Sequence, residues 1–191
     1  MAIERFEDLD LTRRYTYDEY YSWKFPERVE LLGGWVERIV QPGTYPNLVR
    51  GRLLIALMDH LETISCEVLT APLDVVLARF EQWDTVVQPD ILVVCDTTKI
   101  KKQHIDGAPD FIIEIGSPGN GAKELDRKYK QYQDAGVKEY WVVHPDDKTV
   151  LRYVLDGDGL YVGQQPCSVD TPEIASTIFE GFVLSGAQIF P

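Results

Sequence analysis

Short apolar runs broken by Gly-, Pro- and Asp-containing turns dominate the chain, and three stretches among them carry a helical signature. In "TYDEYYSW" Thr16 and Glu19 have capping-box spacing, which predicts a short helix. The segment "RVELLGGWVERIV" (28–40) predicts a β-hairpin, because Gly33-Gly34 suits a tight two-residue turn. After Pro46, "NLVRGRLLIALMDHLETI" (47–64) places Leu48, Leu54, Ile55, Met58 and Leu61 on a broad helical stripe. "CEVLTA", "LDVVLAR" and "TVVQPDILVV" follow as three strand-like runs rich in Val, Leu and Ile.

A polar loop, "DTTKIKKQHIDG" (96–107), leads into the strand "FIIEI". A helix over about 121–135 is expected to end at Gly136 with a left-handed cap. "EYWVVH" (139–144) and "TVLRYVL" (149–155) read as strands joined through a "PDD" turn, with "GLYVGQQ" and "IFEGFVL" as further short strands. The expected class is α/β or α+β: a central sheet with helices packed on it, in one domain spanning residues 1–191. The N-terminal helix and hairpin, about 1–42, attach to that core.

At 191 residues, with 45% hydrophobic and 26% charged residues, the chain is long enough for one well-filled core. No stretch approaches the roughly 18 apolar residues of a membrane span, and the start lacks the features of a signal peptide. A cytoplasmic protein with no membrane partner is expected. Cys66, Cys95 and Cys167 show no CxxC spacing, so reduced thiols are expected rather than a disulfide framework or a zinc site. The net charge of −12 weighs against a nucleic-acid binder that works through a broad basic face. A metal ion, however, can reverse the potential inside a carboxylate-lined cleft.

Two carboxylates stand out from their surroundings. Glu114 lies within "FIIEI", and Asp90 follows Pro89 in the equally apolar "VVQPDILVV". A carboxylate in such a run is costly unless paired or bound to metal. Two on neighbouring strands would repel each other, and a divalent cation relieves that repulsion. Oxygen donors without a Cys or His cluster favour Mg²⁺ or Mn²⁺. The plainer reading is a sheet-edge acid bonded to an arginine or a backbone amide. At about 100° per residue, Leu125, Tyr129 and Tyr132 share one face of the 121–135 helix, and Lys128 lies on its flank. Lys123 and Lys130 point the opposite way. Two carboxylates with a lysine nearby suit phosphodiester hydrolysis. A lysine lying over apolar surface is the plainer reading there.

The segments "PDILVV", "APDFIIEIGSPG" and "DRKYKQYQDAGVKEYWVVHP" together resemble the Uma-type family of bacterial restriction endonucleases, a domain of unknown function in the PD-(D/E)XK nuclease superfamily. The likeness runs from the "VELLGGWV" hairpin to the "LRYVL" strand and is most specific between Ala108 and Pro145. It implies a restriction-endonuclease-like core, with a mixed central sheet flanked by helices, and a Mg²⁺- or Mn²⁺-dependent endonuclease acting on DNA. It implies Asp90 and Glu114 as metal-binding acids and Lys128 as the catalytic lysine. The superfamily lysine two residues after the glutamate is Gly116 here, and in this family it is expected on the following helix. Glu30 matches a recurrent acid of the family and is an auxiliary candidate; Gln88, two residues before Asp90, is a second.

His60, His104 and His144 are expected to be structural, and "GNGAK" (119–123) lacks the order of a phosphate-binding loop. A non-catalytic interaction module on a nuclease-derived fold is the rival reading, and an enzyme of small phosphorylated metabolites a third. Basic residues gather at Arg50 and Arg52, at Lys99, Lys101 and Lys102, and at Lys123, Arg127, Lys128 and Lys130; convergence would favour the nuclease. The resemblance also implies a homodimer, for which Trp23, Trp35, Trp83 and Tyr161 are candidate interface residues.

Overall fold

A computed structural model describes residues 3–79, 84–116 and 122–191. The expected capping box opens helix α1 (Tyr17–Ser22): the Thr16 side chain accepts from the Glu19 amide while the Glu19 carboxylate accepts from the Thr16 amide. The hairpin follows as β1 (Val29–Leu32) and β2 (Trp35–Arg38). Gly33 and Gly34 turn it with φ of 59° and 83°, the double left-handed pair of a type I′ turn. Helix α2 (Thr44–Leu61) begins three residues before the expected start and carries Pro46 in its first turn, where a missing N–H costs nothing.

Strands β3 (Glu67–Thr70) and β4 (Asp74–Arg79) match their apolar runs. The third run does not form one strand. It divides at Gln88-Pro89-Asp90 into β5 (Asp84–Val87) and β6 (Ile91–Val94), which belong to different sheets. Proline lacks the N–H that a continuous ladder needs, so the ribbon turns its corner there. The 96–107 segment, read as loop, contains a further strand, β7 (His104–Asp106), parallel to β4. Its polar side chains suit an edge strand, which periodicity alone does not separate from loop. Next come β8 (Phe111–Ile115), α3 (Ala122–Ala135), β9 (Glu139–His144), β10 (Thr149–Leu155) and β11 (Tyr161–Gly163). Gly136 ends α3 at φ 86°, as expected. The Ser117-Pro118-Gly119 turn, Trp83 and the side chains of Lys123 and Leu125 lie outside the described residues.

The expected single central sheet is two: a five-stranded one in the order β2-β1-β5-β4-β7, and a larger one in the order β11-β10-β9-β8-β6-β3. The class is mixed α+β. Strands β6, β8 and β9 bury both faces. Ile91, Val93, Phe111, Ile113 and Trp141 pack against α2, while Leu92, Ile112, Tyr140 and Val142 face the α3 side. Leu32, Val75 and Val87 of the five-stranded sheet join that second cluster, so α3 lies between the sheets.

In α2 the core stripe is Val49, Leu53, Leu57 and Leu61, all buried, each contributing about 1.5–3 kcal/mol by burial. Of the expected stripe, Leu61 is buried and Leu54 partly so, but Leu48, Ile55 and Met58 are exposed. The helix is apolar nearly all round, and packing chose the face with the four-residue repeat. The expectation of reduced thiols is also corrected, because Cys66 and Cys95 are disulfide-bonded. The register of β3 on β6 pairs Glu67 with Val94, which brings the flanking cysteines opposite each other. Cys167 is free and buried.

Candidate active site

Strand alternation in β8 turns Phe111, Ile113 and Ile115 toward α2 and leaves Ile112 and Glu114 facing α3. In β1 the same alternation puts Glu30 on the side of Leu32, also toward α3. Lys128, in the second turn of α3, lies between them and is 4% exposed. Its Nζ donates to Glu114 Oε1 at 3.0 Å and to Glu30 Oε1 at 3.0 Å, with Glu30 Oε2 at 2.9 Å. Tyr132, one turn further along α3, donates its hydroxyl to Glu114 Oε1 at 2.5 Å.

Asp90 occupies the corner between β5 and β6 rather than the body of a strand. Its Oδ2 accepts the Ile115 amide at 2.8 Å, tying the corner to the end of β8 beside Glu114. Arg50 of α2 approaches its Oδ1 at 3.6 Å. Both partners that a plain structural acid would have are therefore present, and Asp90 still borders a cavity with Glu30, Glu114, Lys128, Gln88 and Arg28. Gln88 contributes differently from the sequence expectation. Its backbone N–H donates to Glu30 Oε1 at 2.7 Å, and its side chain joins Arg28 to Asp74. It positions Glu30 and Arg28.

Burial pushes the Glu114 carboxyl up to about 8; Lys128 opposes the rise, and the charges of Glu30 and Asp90 add to it. Asp90 is raised as well, first by burial, with the Ile115 amide, Lys128 and Arg50 pulling it back. Burial and the charge of Glu114 hold the Tyr132 hydroxyl well above the usual phenol range, so it remains a donor.

The superfamily resemblance implies a divalent metal. The cavity has space of about 30 Å³, room for a water-sized occupant, and three carboxylates face it without a thiolate or imidazole. That donor set fits Mg²⁺ or Mn²⁺. A cation there would offset the repulsion from Glu30 and Asp90, which adds to the rise that burial imposes on Glu114. Among the described residues no three such groups are already drawn to metal-binding spacing, since the Lys128 ammonium stands between Glu30 and Glu114.

At Gly116, two residues after Glu114, a side chain would meet close neighbours. A Cβ there would lie 3.0 Å from His144 Nδ1 and 3.4 Å from the Val143 carbonyl oxygen. Among the described side chains of the basic clusters, Arg50 and Lys128 reach the acids. Arg52 binds carbonyls near the C-terminus, Lys99 the Ala108 carbonyl, Lys101 the Thr98 carbonyl, Arg127 pairs with Glu37 and Lys130 with Asp134. Arg28 was not anticipated from the sequence; the available signal was its place two residues before Glu30, on the same face of an extended chain. No helix among the described residues is long and apolar enough to cross a membrane.

The sequence profile of the Uma2 family, described as "Putative restriction endonuclease", matches residues 17–187. No curated protein matches the chain. Among solved structures, a putative nuclease belonging to DUF820 from Anabaena variabilis ATCC 29413 superposes with a TM-score of 0.74 at 18% identity, covering 92% of this chain and 97% of that one. At that identity the likeness speaks to the fold.

Proposed function

The chain belongs to the Uma2 family, described as "Putative restriction endonuclease", and on that premise we propose that it is a metal-dependent endonuclease hydrolysing phosphodiester bonds in DNA. The observation that carries this reading is Lys128 Nζ, 3.0 Å from Glu114 Oε1 and 2.9 Å from Glu30 Oε2, on a cavity that Asp90 also borders.

Asp90 and Glu114 would hold Mg²⁺ or Mn²⁺. When bound, that ion supplies charge neutralisation at the phosphate and acidifies a water molecule. Lys128 is the residue that orients the attacking water and stabilises charge developing on the phosphoryl oxygens. Glu30 grips the ammonium from the β1 side, fixing its direction, and is a positioning residue in turn held by the Gln88 amide. Tyr132 fixes the Glu114 carboxylate through its 2.5 Å hydrogen bond. The water oxygen forms the new bond to phosphorus as the bond to the leaving sugar oxygen breaks.

The rival, a non-catalytic interaction module, is favoured by one observation: the net charge is −12 and most basic side chains outside the cavity are paired or spread apart. Calorimetric titration of Mg²⁺ and Mn²⁺ into wild type and Glu114→Ala, with plasmid nicking on the same samples, separates the two. Binding and nicking that both vanish in the variant support the nuclease. Binding without nicking directs the search to another phosphorylated substrate. A wild type that takes up neither metal overturns the proposal.

A further inference from the structure

The acid-lined cavity shares a wall with a larger hollow. Arg28, Ile39 and Val40 line both, and the hollow measures about 530 Å³, with Pro26, Glu27 and Arg38 on its other sides. The cavity itself takes an occupant of water size, so a phosphodiester would lie across its mouth with the strand outside. The hollow is within the range of ligand pockets and has room for one nucleoside.

Arg28 stands at the junction of the two. It comes just before β1, and its carbonyl accepts the Ile39 amide at 2.9 Å, extending the hairpin beyond Val29. Gln88 Oε1 accepts its Nε–H at 2.8 Å, so a neutral amide steadies the guanidinium. Among the described residues no carboxylate comes within 4.0 Å of Arg28, and its two Nη groups donate to none of them. Arg50 and Lys128, by contrast, are each paired with acids of the cavity. Around the hollow two arginines face one acid, Glu27, which lies 3.9 Å from Arg38. In a chain of net charge −12, a guanidinium held by an amide rather than an acid keeps its charge and its planar fork for an anion.

Resting on the nuclease reading of the acid site, we propose that Arg28 binds the phosphate next to the one being cleaved, and that the hollow holds the attached nucleoside out of the base stack. Pro26, Ile39 and Val40 give that nucleoside apolar walls. A paired base must leave its stack to enter, which costs free energy, whereas a single strand presents it free. The preferred substrate is therefore single-stranded or locally unpaired DNA. Arg28 touches no reacting atom in this arrangement; it binds and places the strand.

Anisotropy of a labelled single-stranded oligodeoxynucleotide, titrated with the full chain in Mg²⁺ and read before product accumulates, tests this; cleavage is followed on the same samples. Arg28→Ala is expected to weaken binding at least about tenfold and to reduce the slope of log affinity on log salt by about 0.7, the share of one phosphate. Arg28→Lys should keep the slope and recover only part of the affinity, having the charge without the fork. In cleavage, Arg28→Ala should raise KM and leave kcat nearly unchanged. Among strands neutralised at one phosphate by methylphosphonate, one should bind wild type about tenfold more weakly, and Arg28→Ala should not distinguish it from the normal strand. Misfolding cannot produce that loss of discrimination. A duplex of the same sequence should bind at least about tenfold more weakly than the single strand. Equal binding by wild type and Arg28→Ala, losses from variant and methylphosphonate that simply add, or a duplex bound as tightly as the single strand would each overturn the proposal. Binding that depends on Arg28 without cleavage would uphold the phosphate site and tell against the nuclease; cleavage with an unchanged KM in Arg28→Ala would do the reverse.

Discussion

Lys128 Nζ and Glu114 Oε1 are 3.0 Å apart, and both side chains are buried, the one on a helix and the other on the strand before it. Glu30, 98 residues from Lys128, completes the arrangement from the other sheet. One ammonium thus serves two buried carboxylates, and each partner makes the burial of the others tolerable.

Lys128→Met should therefore act on stability before it acts on anything else. Leaving Glu30 buried without its cation, beside a Glu114 that keeps its proton up to about pH 8, is expected to cost about 3–5 kcal/mol near neutral pH. Urea unfolding in chelator measures the loss, and added Mg²⁺ should recover part of it. A loss below about 1 kcal/mol would show that water, not Lys128, satisfies the acids.

The pH dependence has a definite sign. Glu114 is raised from its ordinary 4.5 to about 8, chiefly by burial. Between those values the native protein holds a proton that the unfolded chain has lost, so metal-free stability falls as pH rises through that window. Thermal midpoints in chelator should show the decline, and Glu114→Gln should flatten it. An unchanged slope in the variant would place the titration elsewhere.

At Asp90 the neighbouring guanidinium competes with any bound cation. Arg50 is part exposed, and its pair with Asp90 is long at 3.6 Å. Arg50→Ala is expected to tighten divalent-metal binding by about 0.5–1 kcal/mol. Titration calorimetry reads this directly; weaker binding would mean that Arg50 serves mainly to keep Asp90 ionised.

Gly116 tests the proposed role of Lys128. Gly116→Ala should destabilise by about 1–3 kcal/mol, because the new methyl meets the His144 ring and the Val143 carbonyl. His144→Ala in the same chain should return part of that loss. Gly116→Lys is not expected to restore activity to Lys128→Ala. If it did, the superfamily position would be open and the crowding unimportant.

Much of this was legible in the chain because it depends on neighbours in sequence. The Thr16–Glu19 capping box, the double-glycine turn and the Gly136 cap are determined within a few residues, where backbone conformation and local hydrogen bonds decide. Alternation in "FIIEI" and the period of α3 were enough to set Glu114 and Lys128 on facing surfaces, since a strand and the helix after it pack together. Tertiary structure decided what depends on residues far away. Pro89 could be read as a break, but not that the ribbon would there pass from one sheet to another and carry Asp90 to the corner. Which side of an all-round apolar α2 faces the core depended on the sheet beneath it, and Leu48, Ile55 and Met58 were left outside. The pairing of Cys66 with Cys95 followed from the register of β3 on β6, and the meeting of Glu30 with Lys128 from two sheets closing on one helix. Such contacts compete with many alternatives of similar local energy, and only simultaneous packing of the whole chain selects among them.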